Sequence, residues 1–270
     1  MNLRLALYCL LGGLCFTIAA LGVGHFGLWW LAGILVTASL APVARFGARH
    51  PLAQFGAIAL ITLVIGLVCT LSEAVLFVPE LKAQLLTSLT GGIVMYLIVS
   101  AVLAALARVL KLTEPAGQAV EHRPVAVAIP MVLLSGLSYV VYYLIFGLII
   151  YEFITKQYYP HARETAAALG VWFWLYQWAR GTLMTLAVLP VIYTLRLRRW
   201  HAALAAGAII WIAGGGAALL VPNANMVTAQ RFAHILEVMT QNVPLGITAV
   251  LLLRPKAAKG TTSTQSAPAA

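Results

Sequence analysis

Apolar residues fall into eight long runs separated by short polar connections, at about 3–22, 27–43, 54–78, 88–109, 125–154, 166–195, 203–221 and 231–253. A helix needs about 20 apolar residues to cross a hydrocarbon core about 30 Å thick. The pattern predicts an all-α, polytopic integral membrane bundle of about eight transmembrane helices, one domain over 1–256, followed by a small, polar tail at 257–270 that is expected to be disordered. The fifth and sixth runs exceed the needed length, so tilt, kinking or projection is expected there. Pro130 and Pro190 lie near one end of each and remove an intrahelical hydrogen bond. Arg4 ahead of the first run gives it a leader-like start. Its apolar segment outlasts the roughly 7–15 residues of a leader and lacks a small-x-small site, so a retained anchor is expected.

Composition agrees with lipid as the solvent. Apolar residues make up 62% of the chain and charged residues 9%, too few charges to cover a water-facing surface. The formal charge of +10 raises nucleic acid as a partner, but position argues against it. The basic residues cluster in short loops at run ends, where a topology signal sits. With the N-terminus inside, the cytoplasmic side receives Arg4, Arg45, Arg49, Arg108, Lys111, Arg123, Arg196, Arg198, Arg199, Arg254, Lys256 and Lys259. The outer side receives only Lys82, Lys156, Arg163 and Arg231. Both termini are therefore expected in the cytoplasm, in a bacterial inner or plasma membrane. The connection 110–124 is the natural seam between two halves, which show no convincing repeat.

Glu73, Glu152, Arg180, His234 and Glu237 interrupt or end the runs. An ionisable group at a helix centre costs about 2.5–3.5 kcal/mol on insertion scales, so such residues mark pathways or sites. In the eighth run Gln230, His234, Glu237 and Gln241 are spaced 4, 3 and 4, on one helical face. Gln177 and Arg180 lie one turn apart in the sixth run, and Arg180 is about fifteen residues from either end. At 1.5 Å per residue it lies ~22 Å along that helix and needs a carboxylate, so it is expected to pair with one of the outer glutamates, Glu237 before the others. Arg231, near a boundary, is expected to reach headgroups and water. Glu73 follows Cys69, Thr70 and Ser72, and Glu152 follows Ser138, Tyr139, Tyr142 and Tyr143; both end their runs on the outer side. The candidate substrate-binding or proton-coupling set is Glu73, Glu152, Gln177, Arg180, His234, Glu237 and Gln241. Each has a structural alternative: an interfacial residue, a helix end or an ion pair locking two helices.

Trp172, Trp174 and Trp178 fit an interfacial belt, and Gly214, Gly215 and Gly216 fit close helix packing. The turn Pro222–Asn225 lies beside the polar stripe in sequence. Cys9, Cys15 and Cys69 lie in apolar runs and read as small buried hydrophobes. No nucleotide loop, zinc helix or serine elbow is present, so neither a cofactor nor a metal is expected. Three function classes stay open. The first is a small transporter or lipid-carrier translocase for an anionic substrate. The second is an intramembrane enzyme acting on a lipid or lipid-linked substrate at the outer leaflet. The third is a non-catalytic assembly, sensor or immunity component that docks a membrane-protein partner. Membrane lipid is a partner under all three.

Overall fold

The computed structural model describes residues 3–19, 24–47, 50–114, 120–158, 162–223 and 226–255. The expected tail at 257–270 and the middle of the 110–124 seam lie outside the described residues. The chain is all-helical, 86% helix, with no strand among the described residues. Five helical stretches are long and apolar enough to cross a membrane: Phe26–Phe46, Pro51–Phe77, Leu81–Val109, Val125–Thr155 and Thr228–Leu253. Their outer faces present leucine, valine and isoleucine, such as Val94, Ile98, Leu137, Val141 and Leu148, to the surroundings. Only lipid makes such a surface favourable, and the chain is a membrane protein.

The remaining three runs are helical but shorter or broken. The first forms α1 (Leu3–Ala19), packed against α2 (Phe26–Phe46). The third run is α3 (Pro51–Ile61) and α4 (Thr70–Phe77), joined through a π-helical segment at Thr62–Cys69. Then come α5 (Leu85–Val109) and α6 (Val125–Ile150), the latter continued by a π turn at Tyr151–Thr155. The sixth run is not one long helix. It divides into α7 (Ala162–Leu169), α8 (Val171–Ala187) and α9 (Leu189–Thr194). Gly170, at φ 55°, ends α7 in a conformation that favours glycine, and Val188 precedes Pro190 at the second break. Arg180 consequently lies only nine residues into α8, about 14 Å from its start rather than 22 Å. The seventh run gives α10 (Arg199–Trp211), then a π turn at Ile212–Gly216 where Gly215 at φ 130° kinks the chain. The last run is α11 (Thr228–Leu253).

Two glycine-mediated crossings set the bundle's centre. A Cβ on Gly181 of α8 would lie 2.5 Å from Tyr139 Cβ and 2.9 Å from the Gly136 carbonyl of α6. A Cβ on Gly246 of α11 would lie 2.5 Å from Gly207 Cα of α10. Helices in lipid gain little from burying apolar surface, so close backbone approach supplies much of their packing. Around these crossings Ile58, Ile61, Ile65, Leu103, Met184 and Ile209 form a core closed to solvent. Gly214 also sits at close quarters: a Cβ there would meet Asn242 Nδ2 at 2.9 Å and Ile65 at 3.2 Å. The end of α11 is held by arginines, with Arg123 Nε donating to the Leu252 carbonyl at 2.8 Å and Arg199 to that of Leu251. Nearby, Arg254 donates to the Leu195 carbonyl at 2.7 Å. These cations sit where a helix exposes its unpaired carbonyls.

Candidate functional site

Close packing of α6 on α8 brings Tyr139 against Arg180, and α4 delivers Glu73 to the same point. Arg180 grips Glu73 through both terminal nitrogens, Nη1 to Oε1 at 2.7 Å and Nη2 to Oε2 at 2.6 Å. Nη1 also donates to Tyr139 Oη at 2.7 Å, and the guanidinium lies 5.5 Å from that ring's centre. The Gln177 carbonyl oxygen stands at 3.5 Å, at the limit of a hydrogen bond. Arg180 is 3% exposed and the Glu73 side chain 14%. Two-point contact with a carboxylate matches the planar guanidinium and makes this the strongest polar tie in the bundle. Ser72 and Tyr176 reinforce it, their hydroxyls 2.8 Å apart across the α4–α8 contact. Arg180 therefore pairs with one of the expected glutamates, but with Glu73 rather than the favoured Glu237. Pairing across helices depends on which helices touch, and the run pattern alone does not encode that.

Glu237 is instead bonded within its own helix, its Oε2 2.9 Å from His234 Nδ1. These side chains are 14% and 23% exposed, so the pair is sheltered but open on one side. The two pairs share one electrostatic neighbourhood. Tyr143 on α6 feels the charges of Glu73, Glu237 and Arg180, and His234 feels those of Glu73 and Arg180 as well as Glu237. Below the histidine pair, Gln241 is buried, and a Cβ on Gly147 of α6 would lie 3.3 Å from its Nε2 and 4.0 Å from Glu237 Oε1. Lacking a side chain at Gly147, α6 leaves room for the stripe on α11. Two buried amide nitrogens, Gln177 Nε2 and Gln241 Nε2, and the Arg180 Nε have no hydrogen-bond partner among the described residues. Unsatisfied buried donors on both sides of the cluster suit a polar guest such as water or an anion.

The other expected site residues separate from this centre. Glu152 lies in the π turn after α6 and pairs at 3.4 Å with Lys156, one turn along its own helix. Gln230, the first member of the α11 stripe, accepts the Val227 amide at 3.3 Å and so caps the helix start. Arg231 does not reach headgroups. It is buried, and its Nη1 donates to the Leu219 and Leu220 carbonyls at 3.1 and 3.0 Å, closing the short turn that precedes the loop. Trp172 and Trp174 are exposed, whereas Trp178 donates to the Leu133 carbonyl at 2.9 Å.

Tyr139 and Tyr143 belong to the centre although they lay outside the sequence-derived set. The signal was legible: Gly136, Tyr139, Tyr143 and Gly147 are spaced 3, 4 and 4, a stripe on α6 that mirrors the one on α11. No group of three or more metal-ligating side chains converges among the described residues. The chain matches no protein-family profile, no curated protein and no solved structure.

Proposed function

We propose that the protein is a multi-pass inner-membrane transporter, or lipid-carrier translocase, that couples an anionic substrate to protons at a site opening outward. In this reading the chain forms one membrane-embedded unit with eight spans and both termini in the cytoplasm. The distribution of basic residues supports that direction, and helix is present in each of the eight runs. The observation that carries the functional reading is a buried arginine held by a carboxylate beside a second, titratable histidine–carboxylate pair.

The chemistry follows from competition for one cation. While Glu73 is ionised it occupies both terminal nitrogens of Arg180, leaving an incoming carboxylate or phosphate only Nε as a nitrogen without a partner among the described residues. A proton on Glu73 removes its charge and weakens that grip, and Arg180 then binds the substrate anion. One proton and one negative charge enter together, which keeps the buried charge constant and avoids the large cost of an unpaired ion. His234 and Glu237 can hold the proton on its way, since the imidazole Nδ1 and the carboxylate Oε2 lie within hydrogen-bond reach of each other at 2.9 Å. Tyr139 stays bonded to the guanidinium throughout and orients it.

A second reading draws on the 2.9 Å contact between His234 and Glu237, which is the geometry of an acid–base pair. On that reading the chain is an intramembrane enzyme working on a lipid or lipid-linked substrate at the outer leaflet. Comparing the lipids of a deletion strain with its parent separates the two. An unmodified carrier lipid retained on the wrong leaflet supports translocation, and a missing lipid product supports the enzyme. For soluble anions, proteoliposomes carrying a trapped pH dye are challenged with carboxylates and phosphate esters. Substrate-dependent acidification that disappears in Glu73→Gln is the expected result. An unchanged lipidome together with no proton movement for any anion overturns the proposal. Fusion of a cytoplasm-only fluorescent reporter after Ala270 tests the topology; a stable but dark fusion overturns it.

A further inference from the structure

The opposite end of the bundle holds a different kind of site. The end of α5, far from Glu73 along the third and fourth runs, meets the start of α3 across a cleft of about 590 Å³. It is lined by His50, Pro51, Gln54, Arg108, Lys111 and Thr113, with no carboxylate in its walls among the described residues. Neither Arg108 nor Lys111 forms an ion pair among the described residues, in contrast to Arg45 next door, which is engaged by Glu114. A smaller cleft of about 190 Å³ continues past Lys111 and Thr113 toward Arg4 and Arg45.

The backbone shows that this arrangement is built. Helix α5 ends with the Leu112 amide bonded to the Ala107 carbonyl at 3.0 Å and the buried Leu112 side chain tucked under it. That is the glycine-type helix ending, and its left-handed position, φ 50°, is occupied by Lys111. A lysine there is strained where glycine would not be, and strain of this kind persists at functional positions. The following residues fix the wall: the Glu114 amide donates to the Arg45 carbonyl at 2.9 Å, and Thr113 Oγ1 to that of Ala44 at 3.4 Å. The floor is rigid too, because the buried Gln54 donates to the Ala44 carbonyl at 2.9 Å. Across the cleft, α3 starts with Pro51 in its first turn and no side-chain cap on its free amides. Two unpaired cations facing an uncapped helix start make an environment for a phosphate group.

We propose that this cleft binds a phosphate-bearing anion, either the headgroup of an anionic lipid or a soluble phosphate, gripped by Arg108 and Lys111. The proposal does not depend on the transport reading. The test uses the full-length protein in a neutral detergent, with thermal unfolding followed by tryptophan fluorescence. Inorganic phosphate and dioctanoyl phosphatidylglycerol are titrated separately, with dioctanoyl phosphatidylcholine as the uncharged control. The parent is expected to gain thermal stability saturably with one or both anions, because a ligand that binds only the folded state raises its stability. A response to phosphatidylglycerol alone assigns a lipid headgroup, and a response to phosphate alone assigns a soluble anion. Lys111→Gly should melt no lower than the parent, since it relieves the left-handed strain, yet half-saturate at tenfold or more higher anion concentration. Arg108→Gln should shift the half-saturation point in the same direction. The double variant Arg196→Gln/Arg198→Gln removes twice the charge of either single variant from residues outside the cleft lining and should respond like the parent. No stabilisation by either anion, an equal response to phosphatidylcholine, a parent-like response in Lys111→Gly, or an equal loss in Arg196→Gln/Arg198→Gln each overturns the proposal.

Discussion

Arg180–Glu73 and His234–Glu237 lie in one neighbourhood but are constructed in opposite ways. The first joins two helices, is gripped at two points and is almost closed to solvent. The second joins positions three apart on a single helix and is partly open. Losing the first removes the main polar tie between α4 and α8 and strands a charge, whereas losing the second removes a bond between two positions of one helix. The division suits a site that needs both a fixed anchor and a group free to change its charge. In the proposed cycle Glu73 gives up its charge only as the substrate anion takes its place, and the nearby pair relays the proton to it.

The sharpest way to break this comparison is to strand the anchor. Arg180→Ala leaves Glu73 buried without its cation, and orphaning one partner of a buried pair costs about 3–5 kcal/mol. Unfolding in a denaturing detergent should show a loss of that order. Arg180→Met/Glu73→Met should recover most of it, because removing a whole buried pair is close to neutral. A single variant within about 1 kcal/mol of the parent, the scale of a surface pair, would mean that the tie is exposed and weak.

The next largest effects concern the glycines that seat the two pairs. Gly181→Ala forces a methyl to within 2.5 Å of Tyr139 Cβ and 2.9 Å of a backbone carbonyl, neither of which can swing away. Overpacking of that kind costs about 1–3 kcal/mol. It also pushes Tyr139 off Arg180, so activity should fall with stability. Gly147→Ala meets only the movable end of Gln241 at 3.3 Å, and its cost should be smaller. Melting of the two variants side by side decides the point, and equal losses would contradict a tighter packing at the anchor than at the proton pair.

How much of this was legible in the chain depends on the physics behind each feature. The apolar runs are a response to lipid, so composition alone reveals them, and helix occupies every one. The α11 stripe of His234, Glu237 and Gln241 is likewise a local pattern, and its inward placement follows from the cost of polar groups in hydrocarbon. The break at Val188 falls where Pro190 led a kink to be expected, whereas the one at Gly170 went unread because a lone glycine is common within membrane helices. The unread break put Arg180 further along a helix than it lies. The partner of Arg180 was hidden for a different reason: α4 and α8 meet through single side chains such as Ser72 and Tyr176, and a contact between two distant segments leaves no periodic mark in either. Arg231 shows the same limit, since its two carbonyl acceptors lie on a turn whose shape only the kink at Gly215 creates.

The smallest expected change in stability belongs to the histidine pair, and it should bring the largest change in function relative to its structural cost. Glu237→Gln keeps the shape of the side chain and one hydrogen bond to His234, but removes the negative charge. Because the pair is local to α11 and partly open, the loss of stability should stay below about 1 kcal/mol, the range of exposed or helix-local pairs. His234→Gln, which keeps a polar side chain but cannot hold a proton, should behave in the same way. If the pair carries protons, both variants remain folded, bind substrate and lose proton-coupled uptake, and the pH dependence of any residual transport flattens. Measuring anion binding to detergent-solubilised protein alongside uptake in proteoliposomes separates the two steps. Should both variants transport with the parent's pH profile, the proton reaches Glu73 without passing through this pair, and the contrast between the two pairs would carry no functional meaning.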